Sequence, residues 1–146
     1  SIGIVSKSGG MTTETAQVVQ KAGFGISTAM DIGGDKIAGT TFVEALKMFE
    51  DDPQTDAVVM FGELGGTYEN QVADFLDSNP GFDMPVVAFI TGKFTEDMPS
   101  QQYGHAGAII RGDKDKPSYK QRVLRESGVH VVDVHHELGK KIAEVL

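Results

Sequence analysis

The chain has 146 residues, which is enough for one domain with its own hydrophobic core. It contains no cysteine, so disulfides, thiol chemistry and cysteine-based metal sites are excluded. The net charge of -8 argues against a nucleic-acid partner, because a phosphate backbone requires a basic surface. No apolar run is long enough to span a membrane and no signal region opens the chain, so we expect a protein of the cytoplasm or the mitochondrial matrix.

Strand and helix patterns alternate along the whole chain. Short apolar runs predict five strands, at residues 2–5, 24–32, 57–61, 86–90 and 129–134. Apolar residues on one helical face predict five helices, at residues 12–22, 42–50, 67–78, 118–127 and 136–146. Thr41 and Glu44 form a capping-box pattern before the second helix. This order predicts one α/β domain over residues 1–146: a flavodoxin-like, doubly wound, five-stranded parallel sheet of order 2-1-3-4-5, with helices on both faces.

Unusual turns follow the predicted strands on the side where such sheets bind ligands. Ser8, Gly9 and Gly10 join the first strand to the first helix, where free backbone N–H groups favour phosphate. The same turn also fits an ordinary capped helix start without a ligand. Glu63 follows the third strand, before Gly65-Gly66, and its position alone favours a solvent-facing acid.

His105 lies in a long segment, residues 92–117, that shows no periodicity of its own. Segments of this length are usually functional or disordered. The neighbours of His105 are the small residues Gly104, Ala106 and Gly107, which let a bulky charged group approach the ring. A lone loop histidine is most often solvated, but the apolar run after Gly107 requires this loop to dock. A nucleophilic histidine needs one ring nitrogen free and the other held by an acceptor such as Glu63.

The remaining charged residues favour structural interpretations. His130 falls in a predicted strand, and His135 and His136 are predicted to be surface or capping residues. A paired-histidine metal site lacks a third ligand, so we predict no metal site. The basic stretch at residues 114–125 is mixed with acids and predicts a solvated helix face.

Four stretches in order resemble the succinyl-CoA synthetase α subunit. Gly104-His105-Ala106-Gly107-Ala108-Ile109-Ile110 is similar to the active-site histidine motif of that family. The others are residues 3–9, 32–35 and 52–66. The resemblance covers nearly the whole chain and is to the carboxyl-terminal, flavodoxin-like ligase domain. The CoA-binding Rossmann domain that precedes it in the family is not matched, and the chain begins inside a strand, so we expect a fragment of a longer polypeptide.

The resemblance implies an acid–thiol ligase that forms ADP or GDP. A nucleoside triphosphate, bound with Mg²⁺ on a β subunit, would phosphorylate His105, and the group would pass to a small carboxylic acid before CoA forms the thioester. Glu63 would orient His105, Ser8, Gly9 and Gly10 would bind phosphate, and Gly104, Ala106 and Gly107 would support the loop. The implied partners are the β subunit, in a heterodimer or an α2β2 assembly, and the CoA-binding domain of the same subunit. No cofactor is expected within this domain, which alone should be nearly inactive.

Three departures from the family pattern leave the acid open between succinate, malate and others. One is Pro99-Ser100-Gln101-Gln102-Tyr103-Gly104, where the family commonly has a basic or Gly-rich run ending in Met-Gly. Thr95-Glu96-Asp97 is acidic where the family is often basic, and the phosphate turn continues with Met11-Thr12 rather than a Leu-Thr pair. An FMN-binding flavodoxin-like electron carrier is the alternative, because residues 6–12 vaguely resemble an FMN phosphate loop. With no Trp and three Tyr, the chain offers little to sandwich a flavin ring.

Overall fold

Five parallel strands form a single sheet in the order β2-β1-β3-β4-β5 in the computed structural model, which describes residues 1–146. The strands are β1 (Ile2–Ser6), β2 (Ile26–Asp31), β3 (Ala57–Gly62), β4 (Val86–Ile90) and β5 (His130–Val132). Every neighbouring pair is parallel. The predicted flavodoxin-like topology and strand order are therefore confirmed.

Five helices connect and follow the strands. They are α1 (Gly9–Lys21), α2 (Phe42–Glu50), α3 (Tyr68–Ser78), α4 (Pro117–Glu126) and α5 (Leu138–Val145). The capping box at α2 is present: the Thr41 side chain accepts from the Glu44 N–H, and the Glu44 carboxylate accepts from the Thr41 N–H at 2.8 Å. No helix combines the length and the apolar character needed to cross a membrane.

Some predicted boundaries were wrong by two or three residues. Helix α1 begins at Gly9 rather than Thr12, because Ser8 has extended backbone and caps the helix by accepting from the Met11 N–H. Strand β2 begins at Ile26 rather than Phe24, because the Phe24 N–H is still bonded to the Val19 carbonyl in the turn that ends α1. At the chain end, β5 is shorter than predicted, and a 3₁₀ turn at His135–Glu137 precedes α5.

The sheet is covered on both faces, as predicted. One core cluster includes Val58 and Met60 of β3 with apolar residues of α2, α3 and α4. The other includes Ala57 and Val59 of β3 with residues of α1 and α5. Successive residues of β3 point to opposite faces of the sheet, and both faces are covered by helices. All residues of β3 are therefore buried, and the strand has no polar face.

The unusual turns of the sequence lie together at the carboxyl ends of the strands. Ser6 of β1 lies beside Phe61 of β3 in the central pair of strands, so the turns that leave these two strands start side by side. The turn after β2 and the long segment after β4 flank them. The long segment contains 3₁₀ turns at Lys93–Thr95 and Asp113–Asp115 and an isolated antiparallel bridge between Gln102 and Ile109.

Candidate active site

His105 and Glu63 form a hydrogen-bonded pair at this edge of the sheet. His105 Nδ1 lies 3.0 Å from Oε2 and 3.1 Å from Oε1 of Glu63. Because an ionised carboxylate can only accept, this geometry places the ring proton on Nδ1 and leaves Nε2 with a free lone pair. Nε2 has no hydrogen-bonding partner within the chain, and 41% of the His105 side chain is exposed. The arrangement leaves an unpaired ring nitrogen on a partly exposed side chain.

Glu63 is a buried acid, with only 6% of its surface exposed. The interpretation of Glu63 as a solvent-facing turn residue is therefore wrong. Burial raises the pKa of its carboxyl group, and the hydrogen bond and charge of His105 act in the opposite direction. Because the folded-state pKa is raised, the carboxylate costs folding stability as the pH rises through that value, and the His105 ring offsets part of the cost.

The loop that carries His105 is docked against the rest of the domain. The Ala108 N–H donates to the His105 carbonyl at 3.0 Å, and the Tyr103 N–H donates to the Ala108 carbonyl at 3.0 Å. Gly104 has a φ of +83°, a conformation that favours glycine at the start of this turn. Ala108 is fully buried, which meets the expectation that the apolar run after His105 needs a docking surface.

Two glycine turns form that docking surface by close backbone approach. A Cβ atom on Gly34 would lie 2.0 Å from His105 Nδ1, so the imidazole ring packs directly on that glycine. A Cβ atom on Gly65 would lie 2.1 Å from the Gly107 carbonyl oxygen. The Gly107 N–H donates to the Gly34 carbonyl at 2.9 Å. The sequence marks both turns as unusual, but their contact with the histidine loop comes from the tertiary structure.

The start of α1 offers backbone N–H groups beside the same strand ends. Gly9 and Gly10 are exposed and lie in the first turn, whose N–H groups have no acceptor within the helix. Ser8 is committed to the cap: its Oγ accepts from the Met11 N–H at 3.4 Å, and its own N–H donates to Ser6 Oγ at 2.9 Å. The Ser8 hydroxyl hydrogen is still available as a donor. This turn can bind an anion mainly through Gly9 and Gly10.

A buried ionic cluster lies beneath the turn after β3. Glu69, in the first turn of α3, pairs with Lys7 at 2.8 Å and with Lys120 of α4, and the side chains of Glu69 and Lys120 are completely buried. The prediction that residues 114–125 form a solvated face is wrong for Lys120, because Glu69 supplies the counterion that makes its burial tolerable. The sequence signal was weak: Lys120 lies one turn before the buried Leu124, on the inward face of α4.

We expect acid to weaken the fold through Glu69. Burial alone would raise the pKa of Glu69, but the Lys120 and Lys7 ammonium groups outweigh it and lower the pKa to about 2. Because the folded-state pKa lies below the usual 4.5, this carboxylate stabilises the fold above about pH 4.5, and the contribution is lost as the pH falls toward 2. Between about pH 7 and pH 3 the loss should reach about 2 kcal/mol.

Urea unfolding at these two pH values measures that loss. The variant that combines Glu69→Met with Lys120→Met lacks the titrating group, so its stability should fall by about 2 kcal/mol less than that of the wild type. Glu126→Gln, which removes an exposed partner of Arg122, is the control and should behave like the wild type. Equal acid sensitivity in the wild type and the double variant would contradict the prediction.

The other histidines lie away from His105. His135 was predicted to be a surface or capping residue, which is wrong: it is half-buried, its Nε2 is 2.9 Å from the Thr15 hydroxyl, and its ring packs on Phe61 and Phe89. Burial lowers its pKa, partly opposed by Glu14. His136 is exposed, and His130 lies in edge strand β5 with its side chain exposed. No cluster of three or more metal-ligating side chains occurs in the chain.

Glu96, in the acidic departure from the family pattern, has a structural contact. Its carboxylate accepts from the Ser118 N–H at 2.7 Å and from the Ser118 hydroxyl at 2.8 Å. Ser118 is in the first turn of α4, where a carboxylate satisfies a free N–H and is favoured by the helix dipole. This part of the departure therefore has a structural role at the start of α4.

Comparison with known proteins assigns the family. Residues 5–130 match the family model described as CoA-ligase. The chain belongs to the CoA-ligase family. It is 42% identical over 146 residues to subunit alpha 1 of the ADP-forming succinate–CoA ligase of Archaeoglobus fulgidus, an alignment that covers 100% of this chain and 48% of the relative. The resemblance to the succinyl-CoA synthetase α subunit is confirmed.

Two further relatives widen the chemistry within the CoA-ligase family. A subunit of an ADP-forming sulfoacetate-CoA ligase from Acholeplasma sp. is 39% identical over 145 residues, covering 99% of this chain and 48% of the relative. A solved ATP citrate lyase from Methanosaeta concilii, in complex with (3S)-citryl-CoA, superposes with a TM-score of 0.92 at 31% identity, over 99% of this chain and 23% of that chain. The chain thus spans about half the length of the curated relatives that it matches. Family membership favours the ligase over the FMN-binding electron carrier.

Proposed function

We propose that this CoA-ligase domain carries the phosphoryl-accepting histidine of a nucleoside-diphosphate-forming acyl-CoA synthetase. The observation that carries the proposal is the pairing of His105 Nδ1 with buried Glu63, which leaves Nε2 free on a docked loop. A nucleophilic side chain oriented by a neighbouring carboxylate is a recurring arrangement in covalent catalysis. Membership of the CoA-ligase family supplies the reaction class.

In the first step the Nε2 lone pair of His105 attacks the γ-phosphorus of a nucleoside triphosphate. An N–P bond forms, the bond from phosphorus to the bridging oxygen breaks, and the nucleoside diphosphate leaves. The ring keeps its Nδ1 proton throughout and gains positive charge. Glu63 holds that proton and stabilises the charge, so no proton has to leave the site.

In the second step a carboxylate oxygen of the acid attacks the phosphorus of phosphohistidine. The N–P bond breaks, an acyl phosphate forms, and His105 returns to its neutral Nδ1–H form. The CoA thiolate then attacks the acyl carbon, the thioester forms, and inorganic phosphate leaves. The N–H groups of Gly9 and Gly10, with the Ser8 hydroxyl, support the phosphoryl oxygens at the start of α1.

We propose that the nucleotide and CoA bind outside these 146 residues. The relatives that match this chain are named as subunits of ADP-forming ligases and are about twice as long as the chain. CoA would bind to a preceding domain of the same polypeptide, and the nucleotide would bind with Mg²⁺ to a β subunit. We assign no Mg²⁺ ligand to this chain. Mg²⁺ would neutralise charge on the transferred phosphate. The second substrate is a small anionic carboxylic acid, since the relatives are named for succinate and sulfoacetate.

Labelling with a γ-³²P nucleoside triphosphate tests the proposal. The full-length protein, mixed with its nucleotide-binding subunit, should acquire label that is labile in acid and stable in base, as expected of phosphohistidine. His105→Asn should abolish the label because it removes the attacking nitrogen, whereas His136→Asn, at an exposed histidine, should keep it. Label that survives His105→Asn would refute the assignment.

A further inference from the structure

The buried ionic cluster of Glu69, Lys120 and Lys7 makes direct contacts with both halves of the candidate site. Glu69 Oε1 accepts from the backbone N–H of Glu63 at 3.0 Å. Lys120 Nζ donates to the carbonyl oxygen of Gly65 at 2.6 Å. The orienting acid and the turn beneath the histidine loop are thus each held by one member of the same buried pair.

The bond from Glu69 to Glu63 holds the backbone at the point where the orienting side chain leaves it. A charged acceptor makes a stronger hydrogen bond than a neutral one, and this bond is fully buried, so water does not compete for it. Glu69 also pairs with Lys7, whose positive charge acts to lower the pKa of Glu63. Without Glu69, Lys7 would compete with His105 for that carboxylate.

The hydrogen bond from Lys120 to the Gly65 carbonyl holds the turn on which the histidine loop packs. Gly65 has a φ of +81° and packs against the histidine loop, where its missing Cβ would meet the Gly107 carbonyl oxygen and the Ile109 nitrogen at 2.1 and 2.7 Å. A shift of the Gly65 carbonyl would therefore move the surface on which His105 is carried.

Folding stability alone does not explain a completely buried pair of charges here. Replacing such a pair by apolar side chains of similar volume is often neutral or stabilising. Apolar residues, however, offer no directional bond to the Glu63 N–H or the Gly65 carbonyl. What the charged cluster adds is that it fixes the position of two backbone segments, at Glu63 and at Gly65. These segments set the distance between Glu63 and His105.

We infer that Glu69 and Lys120 are positioning residues that keep the Glu63 carboxylate on His105 Nδ1, and so hold the imidazole in the Nδ1–H form with Nε2 free. Their relevance to catalysis rests on the proposed function, but the effect on the ring can be measured without it. Neither residue touches the reacting nitrogen, so both act only through Glu63 and Gly65.

The test compares the wild-type chain with the double variant Glu69→Met and Lys120→Met. Nitrogen-15 NMR of histidine-labelled protein reports which ring nitrogen is protonated, and His105→Asn assigns the signal among the four histidines. The wild type should show the Nδ1–H form of His105, and the double variant should shift toward the Nε2–H form that unhindered imidazole prefers. With the nucleotide-binding subunit present, phosphorylation should slow about 10- to 100-fold. The KM for nucleotide should stay unchanged, because that substrate binds on the partner.

Two controls separate positioning from general destabilisation. Ile142→Ala opens a cavity on the opposite face of the sheet and should lower stability without changing the tautomer of His105. Glu69→Gln keeps an acceptor for the Glu63 N–H and should retain more of the wild-type tautomer than the double variant does. Should the double variant fail to fold, Lys120→Met leaves Glu69 paired with Lys7 and should give a smaller shift in the same direction.

A folded double variant with the wild-type tautomer and labelling rate would overturn the inference, as would an equal tautomer shift in Ile142→Ala. Failure of the proposed function looks different. In that case the wild type acquires no label on His105, while the NMR comparison still decides whether Glu69 and Lys120 set the state of the ring.

Discussion

Glu63→Gln is expected to slow phosphorylation of His105 by about a hundredfold or more, with no loss of folding stability. Glutamine has nearly the same shape, but it carries no charge to stabilise the positive ring that forms when Nε2 takes the phosphoryl group. Its amide can also present an N–H to Nδ1, which would place the ring proton on Nε2 and block the nucleophile.

The expectation that Glu63→Gln does not lower folding stability follows from the upward shift of the Glu63 pKa. Burial raises that pKa, so the folded state binds a proton more tightly than the unfolded state. Stability therefore falls as the pH rises from the usual 4.5 through the folded-state value, and at neutral pH the carboxylate is a cost to the fold. Glutamine removes the charge and that cost.

Labelling kinetics measure the phosphorylation rate and thermal unfolding measures the folding stability, both at about pH 7 on the same samples. Glu126→Gln, on the exposed face of α4, is the matched control and should change neither quantity by much. A Glu63→Gln variant that is labelled at the wild-type rate, or that unfolds at a clearly lower temperature, would contradict this account of the site.

Gly34→Ala is expected to cause a loss of phosphorylation of similar size, by steric displacement. The added methyl group would lie 2.0 Å from His105 Nδ1 and 2.2 Å from Cγ, far inside the contact distance. Gly34 is also tied to the histidine loop through its carbonyl and the Gly107 N–H, so the ring must leave Glu63 to make room. A misplacement of about 1 Å can cost about a hundredfold in rate.

Gly39→Ala in the same connection is the control, because a Cβ atom there meets nothing within 4 Å. It should be labelled at the wild-type rate. Labelling rates of the two variants, with circular dichroism to check the fold, provide the comparison. Wild-type labelling of Gly34→Ala would show that the ring does not have to rest on this glycine in order to react.

Much of the architecture follows from local sequence patterns. Apolar runs separated by amphipathic segments predicted the five strands and five helices, because periodicity reports burial directly. The strand order was predicted from the doubly wound fold class that five alternating strands and helices fit. The capping box of Thr41 and Glu44 was readable since its partners are three residues apart. Small residues around His105, an acid after β3 and glycine turns predicted a shared site at one edge, and the structure places His105 and Glu63 in contact there. Their chemical roles stay proposals.

The sequence by itself determined the fold class, the CoA-ligase family and the edge of the sheet where the candidate site lies. Only the tertiary structure decided which distant residues meet: Lys120 reaches Glu69 across 51 positions, and His135 reaches Thr15 across 120. Such contacts depend on how α3, α4 and the chain end pack on the sheet, and a local pattern carries no information about them. A buried lysine and a surface lysine look alike in sequence until the partner charge is located in space.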